Sequence, residues 1–477
     1  MSQLWTAEAM VEAMGGRPIG TLPAGVTGIS IDSRSLKPGE AFFAIKGDAM
    51  DGHDFATAAV KAGASLLVVA EGRLPGLGRI TVPLIVVDDV LQGLIKLGIA
   101  ARARARGRIV AVTGSAGKTT TKEALRHVLS ACGTVHASDK SFNNHWGVPL
   151  TLARLPEDAD FGVFEIGMNH PDEIRPLVKM VRPHVAVVTL IAAAHLGHFR
   201  DLDEIAHAKA EIFEGVEPDG RALINRDDAR FKLLERLARK AGVKKIVSFG
   251  EDPKATYRLT GAQLAADHSV ITASIAGKPI EARIGAPGRH IVQNVLAVLG
   301  VAHLVGADLT TVAGALETLE AEAGRGRRHR LGDPRRPIVL IDESYNANPA
   351  SMRAAIDLLE ATEVPAGGRR IAVLGDMLEL GEHAAGLHAE LADVIVPTKT
   401  DLVFLGGAEM AALAERLPSE RLGGWAPTVD ELRPMVLAAV RDGDAVVVKS
   451  SKGIGFSKIV DAMLRELATE PRRSATH

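Results

Sequence analysis

The stretch Thr113-Gly-Ser-Ala-Gly-Lys-Thr119 decides how the rest of this 477-residue sequence is interpreted. It follows a β-branched run at residues 108–113 and precedes residues 120–130, whose apolar side chains recur at helical spacing. Glycines in such a turn let backbone N–H groups face a phosphate, and the start of the helix adds partial positive charge. The lysine neutralises phosphate oxygens, and the last threonine offers a hydroxyl to Mg²⁺. The sequence therefore predicts a strand, a phosphate-binding loop and a helix, with these nucleotide-binding residues: Thr113, Gly114, Ser115, Ala116, Gly117, Lys118 and Thr119.

The loop is a shorter variant of the common phosphate-binding loop. Val112 stands five residues before Gly117, where the common form has a glycine. The sequence also lacks the Asn-Lys-x-Asp element with which GTPases read guanine. A switch or motor ATPase with a protein partner stays as an alternative, and it predicts ATP hydrolysis that needs no second substrate.

The overall composition narrows the classes of partner. Lys plus Arg (56) nearly balance Asp plus Glu (58), which argues against a nucleic-acid or anionic-membrane surface. Cys132 is the only cysteine, which excludes an intrachain disulfide and is typical of the reducing cytoplasm. The longest apolar runs, such as residues 185–194, fall short of the ~20 residues that span a bilayer. Residues 1–14 include two glutamates and do not resemble a signal peptide. We expect a cytoplasmic protein that acts on small molecules.

Short β-branched runs alternate with helix-patterned stretches, which predicts an α/β fold with mostly parallel sheets. The helical stretch at residues 91–106 ends at a glycine, and the basic, glycine-containing stretch at residues 323–330 is typical of a linker. Two boundaries follow, and they predict three domains, at residues 1–106, 107–322 and 323–477.

Three further residues are candidates for metal binding beside the loop. Glu165 ends the strand-like run at residues 161–166, where a buried carboxylate needs a partner. His195 follows the next predicted strand, although a single histidine in such a place is more often structural. Lys209 lies in a helical segment, where a lysine is ordinarily a solvated surface residue. Phosphoryl transfer needs cations held by hard ligands at this edge of the sheet.

In order along the chain, Thr-Gly-x-x-Gly-Lys-Thr, Phe-Glu-Ile-Gly-Met-Asn (164–169), Ala-His-Leu (194–196) and Ala-Lys-Ala-Glu-Ile-Phe (208–213) resemble the central domain of the Mur ligases. The resemblance implies an ATP-dependent amide-forming ligase that works through an acyl phosphate. It also implies a UDP-substrate domain, a central P-loop ATPase-like domain, and a C-terminal Rossmann-like domain that binds the incoming amino component and closes on ATP.

The same resemblance assigns catalytic roles to Lys118, Glu165, His195 and Lys209. Two Mg²⁺ ions are implied. Thr119 and Glu165 would hold one ion, and His195 would help to hold the second. Lys209 matches a family lysine that reacts with CO₂ to form a carbamate, which turns an amine into an anionic oxygen ligand suited to Mg²⁺.

Other segments resemble the branch of the family that adds D-alanyl-D-alanine to UDP-N-acetylmuramoyl-tripeptide, the last cytoplasmic step of peptidoglycan-precursor synthesis. These segments include residues 31–55, 140–149, 341–349 and 375–381. By this resemblance, the substrate contacts are Ser33, Arg34, Asn143, Asn144, Tyr345 and Asn346, and further ATP contacts are Asn294, Arg325 and Asp342.

Some alternatives stay open. Arg325 and Arg327 both match the family arginine that reaches the γ-phosphate, and we favour Arg325. Residues 449–452, Lys-Ser-Ser-Lys, stand where many relatives have Lys-Gly-Ser-Arg, so their role is undecided. A sibling ligase that adds a diamino acid or glutamate, or a ligase similar to folylpolyglutamate synthetase, is the nearest rival. We expect a monomer.

Overall fold

The computed structural model describes residues 3–47, 50–139, 142–194 and 196–468. The first part of the chain forms a five-stranded sheet in the order β2-β7-β6-β5-β4, parallel except for the pair β2 and β7, together with the small antiparallel pair β1 and β3. Its strands and helices are β1 Trp5–Thr6, α1 Ala7–Met14, β2 Arg17–Ile19, β3 Gly25–Val26, β4 Ile29–Ser30, β5 Ala41–Phe43, α2 Ala56–Lys61, β6 Leu66–Ala70, β7 Leu84–Val87 and α3 Val90–Arg104.

The middle part forms a nine-stranded sheet in the order β16-β15-β14-β13-β12-β11-β8-β10-β9. Neighbouring strands from β9 to β14 are parallel, and β14, β15 and β16 form an antiparallel meander at the edge. The elements are β8 Arg108–Thr113, α4 Lys118–Ser130, β9 Val135–Ala137, α5 Gly147–Ala153, β10 Phe161–Glu165, α6 Ile174–Val181, β11 Val185–Val188, α7 Leu202–Ala210, β12 Arg221–Asn225, α8 Phe231–Lys240, β13 Lys245–Gly250, β14 Tyr257–Leu264, β15 Ser269–Ile275, β16 Lys278–Ile284, α9 Arg289–Val305 and α10 Leu309–Ala315.

The last part forms a six-stranded sheet in the order β17-β18-β22-β19-β20-β21, parallel except for the pair β17 and β18. Its elements are β17 Arg327–Leu331, β18 Ile338–Glu343, α11 Pro349–Glu360, β19 Arg370–Gly375, α12 Ala384–Ala389, α13 Leu391–Ile395, β20 Leu402–Gly406, α14 Ala411–Ala414, β21 Leu422–Ala426, α15 Val429–Ala439, β22 Ala445–Lys449 and α16 Ser457–Glu466.

The three mostly parallel sheets confirm the predicted α/β class, and the domain boundaries stay a prediction. Apolar side chains cover both faces of the nine-stranded sheet, as parallel sheets require. On one face Leu125 and Leu129 of α4 pack with α9, which fixes the helix that follows the loop. In the described part of the chain, no helix combines the length and apolar character needed to cross a membrane.

The order of strands places the functional site. From β8 the chain crosses to β9 and β10 on one side and to β11 and β12 on the other. The direction of winding therefore reverses at β8. In open parallel sheets a crevice opens at such a point, beyond the carboxyl ends of the strands. Thr113, Glu165 and Val188 end the three strands that meet there.

Candidate nucleotide and ligase site

The predicted phosphate-binding loop lies between β8 and α4. Gly114 (φ 152°) and Gly117 (φ 82°) have backbone angles that side chains rarely tolerate, which explains why glycine occupies both positions. A Cβ atom on Gly117 would lie 2.5 Å from Oδ1 of Asn294, so the α9 side chain can approach the loop closely. The first-turn N–H groups of α4 have no acceptor within the helix, as at every helix start, and the loop leads directly into them.

Two hydrogen bonds join the loop to its surroundings, and a third lies within it. Ser115 N–H donates to the Leu190 carbonyl (2.7 Å), and the Thr189 hydroxyl donates to the Ala116 carbonyl (2.5 Å). Lys118 Nζ donates to the Gly114 carbonyl (2.6 Å), which folds its side chain back over the loop. The loop is therefore preformed, with its lysine already curled around the space that a phosphate would take.

A buried carboxylate stands beside the loop, as the strand-end pattern predicted. Glu165 is 1% exposed and Thr119 is 4% exposed. The Thr119 hydroxyl donates to Glu165 Oε2 (2.8 Å), and Asn143 Nδ2 donates to Glu165 Oε1 (2.7 Å). A hydroxyl, a carboxylate and an amide, drawn from α4, β10 and the segment before α5, thus meet within hydrogen-bonding distance.

Positive charge accumulates near this carboxylate. Burial lowers the pKa of Lys118, the charge of Glu165 opposes that shift, and Arg325 adds to it. Lys209, in α7, is 1% exposed. Burial, with a contribution from the charge of Lys118, moves the pKa of Lys209 well below its ordinary value of 10.5. Lys209 is therefore not a solvated surface lysine, and an uncharged amine is favoured at its position.

The phosphate loop and Glu165 form one wall of a cavity, and the last part of the chain forms the opposite wall. Asn348 caps α11 through its side-chain oxygen, and its Nδ2 donates to the Ser115 carbonyl of the loop (3.3 Å). The Arg325 guanidinium lies 4.1 Å from the centre of the Tyr345 ring, a cation–π contact that orients it. The two walls enclose a cavity of about 410 Å³, whose lining includes these predicted residues: Ser115, Ala116, Gly117, Lys118, Thr119, Asn143, Glu165, Asn294, Arg325, Tyr345 and Asn346.

Asp342 and Arg327 do not line the described part of this cavity. Both Asp342 oxygens are used locally: Gly324 N–H donates to one (2.7 Å), and the backbone and hydroxyl of Ser344 donate to the other. Arg327 pairs in register with Asp342 across β17 and β18 and lines a separate cleft. Of the two candidate arginines, Arg325 is the one that reaches the cavity.

Asn144 also turns away from the cavity. Its side-chain oxygen accepts from the backbone N–H of Gly147 (3.0 Å) and Trp146 (3.3 Å) at the start of α5. Asparagine commonly bonds its own backbone in this way. Of the two asparagines, Asn143 faces the carboxylate and Asn144 supports the turn.

Ser33 and Arg34 do not line the described part of the cavity that holds the loop, and their neighbours Asp32 and Ser35 line a separate cleft of about 970 Å³ together with Arg154. The Arg34 side chain is 86% exposed and pairs with Asp32 (2.7 Å). The structure therefore separates these predicted substrate contacts from the phosphate loop.

His195 lies outside the described residues. Across residues 3–47, 50–139, 142–194 and 196–468, no group of three or more His, Cys, Asp or Glu side chains is arranged to hold a metal ion. Of the predicted metal ligands, the Thr119 hydroxyl and the Glu165 carboxylate lie within hydrogen-bonding distance of each other (2.8 Å).

Sequence reasoning gave no role to three polar cavity residues, of which Lys449 was part of the motif left undecided. Asn225, at the end of β12, donates to the Thr189 carbonyl (2.9 Å) and lines the cavity. Glu343, at the end of β18, and Lys449, at the end of β22, form a buried pair (3.1 Å) in its wall. All three side chains belong to the last residues of parallel strands. A search for polar residues at every predicted strand end would have found them.

Comparison with known proteins agrees with this geometry. The chain matches the models "Mur ligase family, catalytic domain" at residues 25–126, "Mur ligase middle domain" at 112–302 and "Mur ligase, glutamate ligase domain" at 326–452. It is similar to the UDP-N-acetylmuramoyl-tripeptide--D-alanyl-D-alanine ligase of Haemophilus influenzae, at 33% identity over 94% of this chain and 96% of that protein. The enzyme of the same name from Escherichia coli K12 is 32% identical over 91% of this chain and 93% of its own length.

Solved structures of similar proteins have the same fold as this chain. The crystal structure of MurF from Acinetobacter baumannii superposes with a TM-score of 0.83 at 28% identity, covering 96% of this chain and 98% of that one. The MurF ligase of Thermotoga maritima in complex with ADP has the same fold, with a TM-score of 0.75 at 24% identity over 92% and 97% of the two chains. On the three matched family regions and on relatives above 30% identity over nearly their full length, this chain belongs to the Mur ligase family.

Proposed function

We propose that this chain is an ATP-dependent ligase that joins D-alanyl-D-alanine to UDP-N-acetylmuramoyl-tripeptide, within peptidoglycan-precursor synthesis. The observation that carries the proposal is one cavity in which Lys118, the Thr119–Glu165 pair and Arg325 converge from two sheets. The curated relatives at 31–33% identity share that activity in their names, over at least 91% of this chain.

The ATP phosphates occupy the loop in this proposal. Residues 116–119, where the loop leads into α4, line that space, and Lys118 can exchange its bond to the Gly114 carbonyl for phosphate oxygens. Asn294 lies at the entrance of the loop and is the proposed contact for the base of ATP. Glu343 lines the cavity where Asp342 does not, so we assign the ribose contact to Glu343 in place of Asp342.

The residues present fit one Mg²⁺ ion. Thr119 Oγ1 and Glu165 Oε2 are hard oxygen ligands only 2.8 Å apart, and their mutual hydrogen bond can be exchanged for bonds to a cation. Bound there, Mg²⁺ would neutralise charge on the phosphate oxygens. For a second ion we propose His195 and a carbamate on Lys209. The lowered pKa of Lys209 favours the neutral amine that carbamate formation requires.

The chemistry has two steps. An oxygen of the terminal tripeptide carboxylate attacks the γ-phosphorus of ATP, which gives an acyl phosphate and ADP. The dipeptide nitrogen then attacks the acyl carbon, phosphate leaves, and the nitrogen loses a proton as the amide forms. Lys118 and Arg325 are placed to stabilise negative charge that develops on the transferred phosphoryl group.

The contact between Asn348 and the loop supports a closed arrangement during this reaction. Its hydrogen bond joins the start of α11 directly to the Ser115 carbonyl. A second contact joins the middle and last parts of the chain, where Gly197 N–H donates to the Glu379 carbonyl (2.8 Å). Closure of the two walls would keep water from an acyl phosphate that hydrolyses readily. Gly197 and Gly381 approach so closely at this junction that an added Cβ on Gly381 would lie 2.8 Å from the Cα of Gly197.

The test is phosphate release by the purified protein with ATP and UDP-N-acetylmuramoyl-tripeptide. We expect release only when D-alanyl-D-alanine is added, and a product whose mass equals the two substrates joined with loss of water. A requirement for meso-diaminopimelate or glutamate instead would identify a sibling ligase. Release without any amino acceptor would favour the switch or motor ATPase, in which Lys209→Met should change little.

We also propose that the protein is a cytoplasmic monomer. The single cysteine fits a reducing compartment, and light scattering of the purified chain tests the oligomeric state.

A further inference from the structure

Lys122 is a fully buried lysine in α4 that no step of the proposed reaction uses. It lies one helical turn after Thr119, with 0% exposure. Its Nζ donates to the Ser138 carbonyl (2.8 Å) and forms an ion pair with Glu123, which Arg126 also pairs with from the solvent side (2.5 Å). Burying an ammonium is costly unless it is paired and hydrogen-bonded, so this lysine holds its surroundings in one arrangement.

Lys122 contacts the start of a segment here called the substrate loop, whose described residues are 138–139 and 142–147. Ser138 directly follows β9, and its backbone N–H donates to the Val163 carbonyl of β10 (3.2 Å). The Ser138 hydroxyl accepts from the backbone N–H of Glu165 (3.3 Å). Through Ser138, Lys122 therefore connects the helix of the phosphate loop to the strand that carries the buried carboxylate.

The far end of the substrate loop returns to the same strand end. Asn143 donates to Glu165 through its side chain (2.7 Å), and its carbonyl accepts from Gly167 N–H (2.9 Å). A Cβ on Gly167 would lie 2.9 Å from Cγ of Asn143, so the glycine leaves room for this return. Both ends of the loop are thus attached near Glu165, and Lys122 is the attachment on the helix side.

We propose that Lys122 is a positioning residue: by fixing the point where the substrate loop leaves the sheet, it holds Asn143 on Glu165 and so shapes the substrate-binding side of the cavity. The expected kinetic effect rests on the proposed function. The structural coupling of Lys122 to the Asn143–Gly167 contact can be tested without any activity.

The test compares Lys122→Met with Arg126→Met. Both remove one positive charge and one Glu123 partner from α4, but only Lys122 reaches the substrate loop. In Lys122→Met we expect kcat/KM for the tripeptide substrate to fall by about tenfold or more, since small displacements of a positioning group have effects of this size. ADP affinity, measured without tripeptide, should change by less than about twofold, because the phosphate loop keeps its own bonds. Arg126→Met should leave both quantities near wild type.

Hydrogen exchange supplies the readout that does not depend on activity. Gly167 N–H, which donates to Asn143, should exchange faster in Lys122→Met, whereas Thr121 N–H, which donates to Gly117 inside α4, should not. Unchanged exchange at Gly167 in folded Lys122→Met would overturn the proposal. If that variant fails to fold, Ser138→Ala, which removes only the hydroxyl bond to Glu165, should accelerate Gly167 exchange in its place, and no acceleration would be equally decisive.

A double-mutant cycle separates positioning from general destabilisation. If Lys122 acts through Asn143, then Asn143→Ala combined with Lys122→Met should lower kcat/KM by little more than Asn143→Ala alone. Additive losses would contradict the proposal. A wild-type protein with no dipeptide-dependent turnover would refute the proposed function, while the exchange result would still decide whether Lys122 holds the loop.

Discussion

Replacing Lys209 with methionine is expected to stabilise the folded protein at neutral pH while abolishing ligase activity. The side chain is 1% exposed, and methionine fills a similar volume without a charge. Burial and the positive charge of Lys118 lower the pKa of Lys209 well below 10.5. Folding at neutral pH must therefore either bury an unfavourable ammonium or release its proton, and the methionine variant does neither.

The direction and the size of the effect follow from proton binding. Between the lowered folded pKa and the unfolded value near 10.5, the unfolded chain holds more protons at Lys209 than the folded chain does. The free energy of unfolding of the wild type therefore rises with pH across that window, by up to ~1.4 kcal/mol per pH unit from this one group. Lys209→Met lacks this contribution. Its advantage over wild type is largest below the folded pKa, shrinks as pH rises, and is lost above about 10.5.

Urea unfolding between pH 7 and 10.5, in buffers freed of CO₂, measures this difference. Lys232→Met, which removes an exposed lysine of α8, controls for the loss of a lysine as such. The reasoning is refuted if Lys209→Met is less stable than wild type at pH 7, or if their difference stays constant across the range. Adding bicarbonate at pH 8 should then stabilise the wild type but not Lys209→Met, because only a neutral lysine can form the proposed carbamate.

Three further substitutions test the cavity. Gly117→Ala should lower ATP affinity by at least about tenfold, since its backbone angle and the nearby Asn294 leave no room for a methyl group; equilibrium nucleotide binding measures this. Arg325→Met should reduce kcat by about 100-fold, as loss of a charge-stabilising donor does elsewhere, whereas Arg327→Met should stay within a few fold in the same steady-state assay. Asn348→Ala should increase uncoupled ATP hydrolysis relative to amide formation, because it removes the hydrogen bond between the start of α11 and the phosphate loop; the ratio of phosphate to amide product reports it.

The phosphate loop and its carboxylate were predictable because each is encoded locally. One heptapeptide fixes the loop, and its glycines carry the required backbone angles. Glu165 was predictable because a charged residue at the end of an otherwise apolar strand needs a partner, and the structure supplies Thr119 and Asn143. Arg325 was preferred over Arg327 on resemblance alone, and the structure gives the physical reason, since Arg327 belongs to the ladder of β17.

Choices between adjacent polar residues were less accessible to sequence reasoning. The strand β18 includes both Asp342 and Glu343, and successive residues of a strand point to opposite faces of the sheet. The pleat of the strand decides which of these two side chains points toward a ligand. An error of one residue in the register therefore assigns the contact to the wrong residue. Asn143 and Asn144 also differ in their contacts. Asn143 donates to the Glu165 carboxylate, and Asn144 accepts from the backbone of its own turn.

The charges of the buried side chains in and near the cavity indicate which ligands it can bind. Lys118, Arg325 and Glu165 line the cavity, and Lys209 is buried close enough to Lys118 for their charges to interact. Burial lowers the pKa values of Lys118 and Lys209, and repulsion from a neighbouring cation adds to both shifts, so an ammonium group is unfavourable at either position. A nucleotide triphosphate would reverse the balance, and Mg²⁺ would then be needed to offset the phosphates. Carbamylation of Lys209 would replace an amine, whose protonated form Lys118 repels, with an anionic group that can bind Mg²⁺. The same burial that makes Lys209 a cost to stability is what would make it reactive.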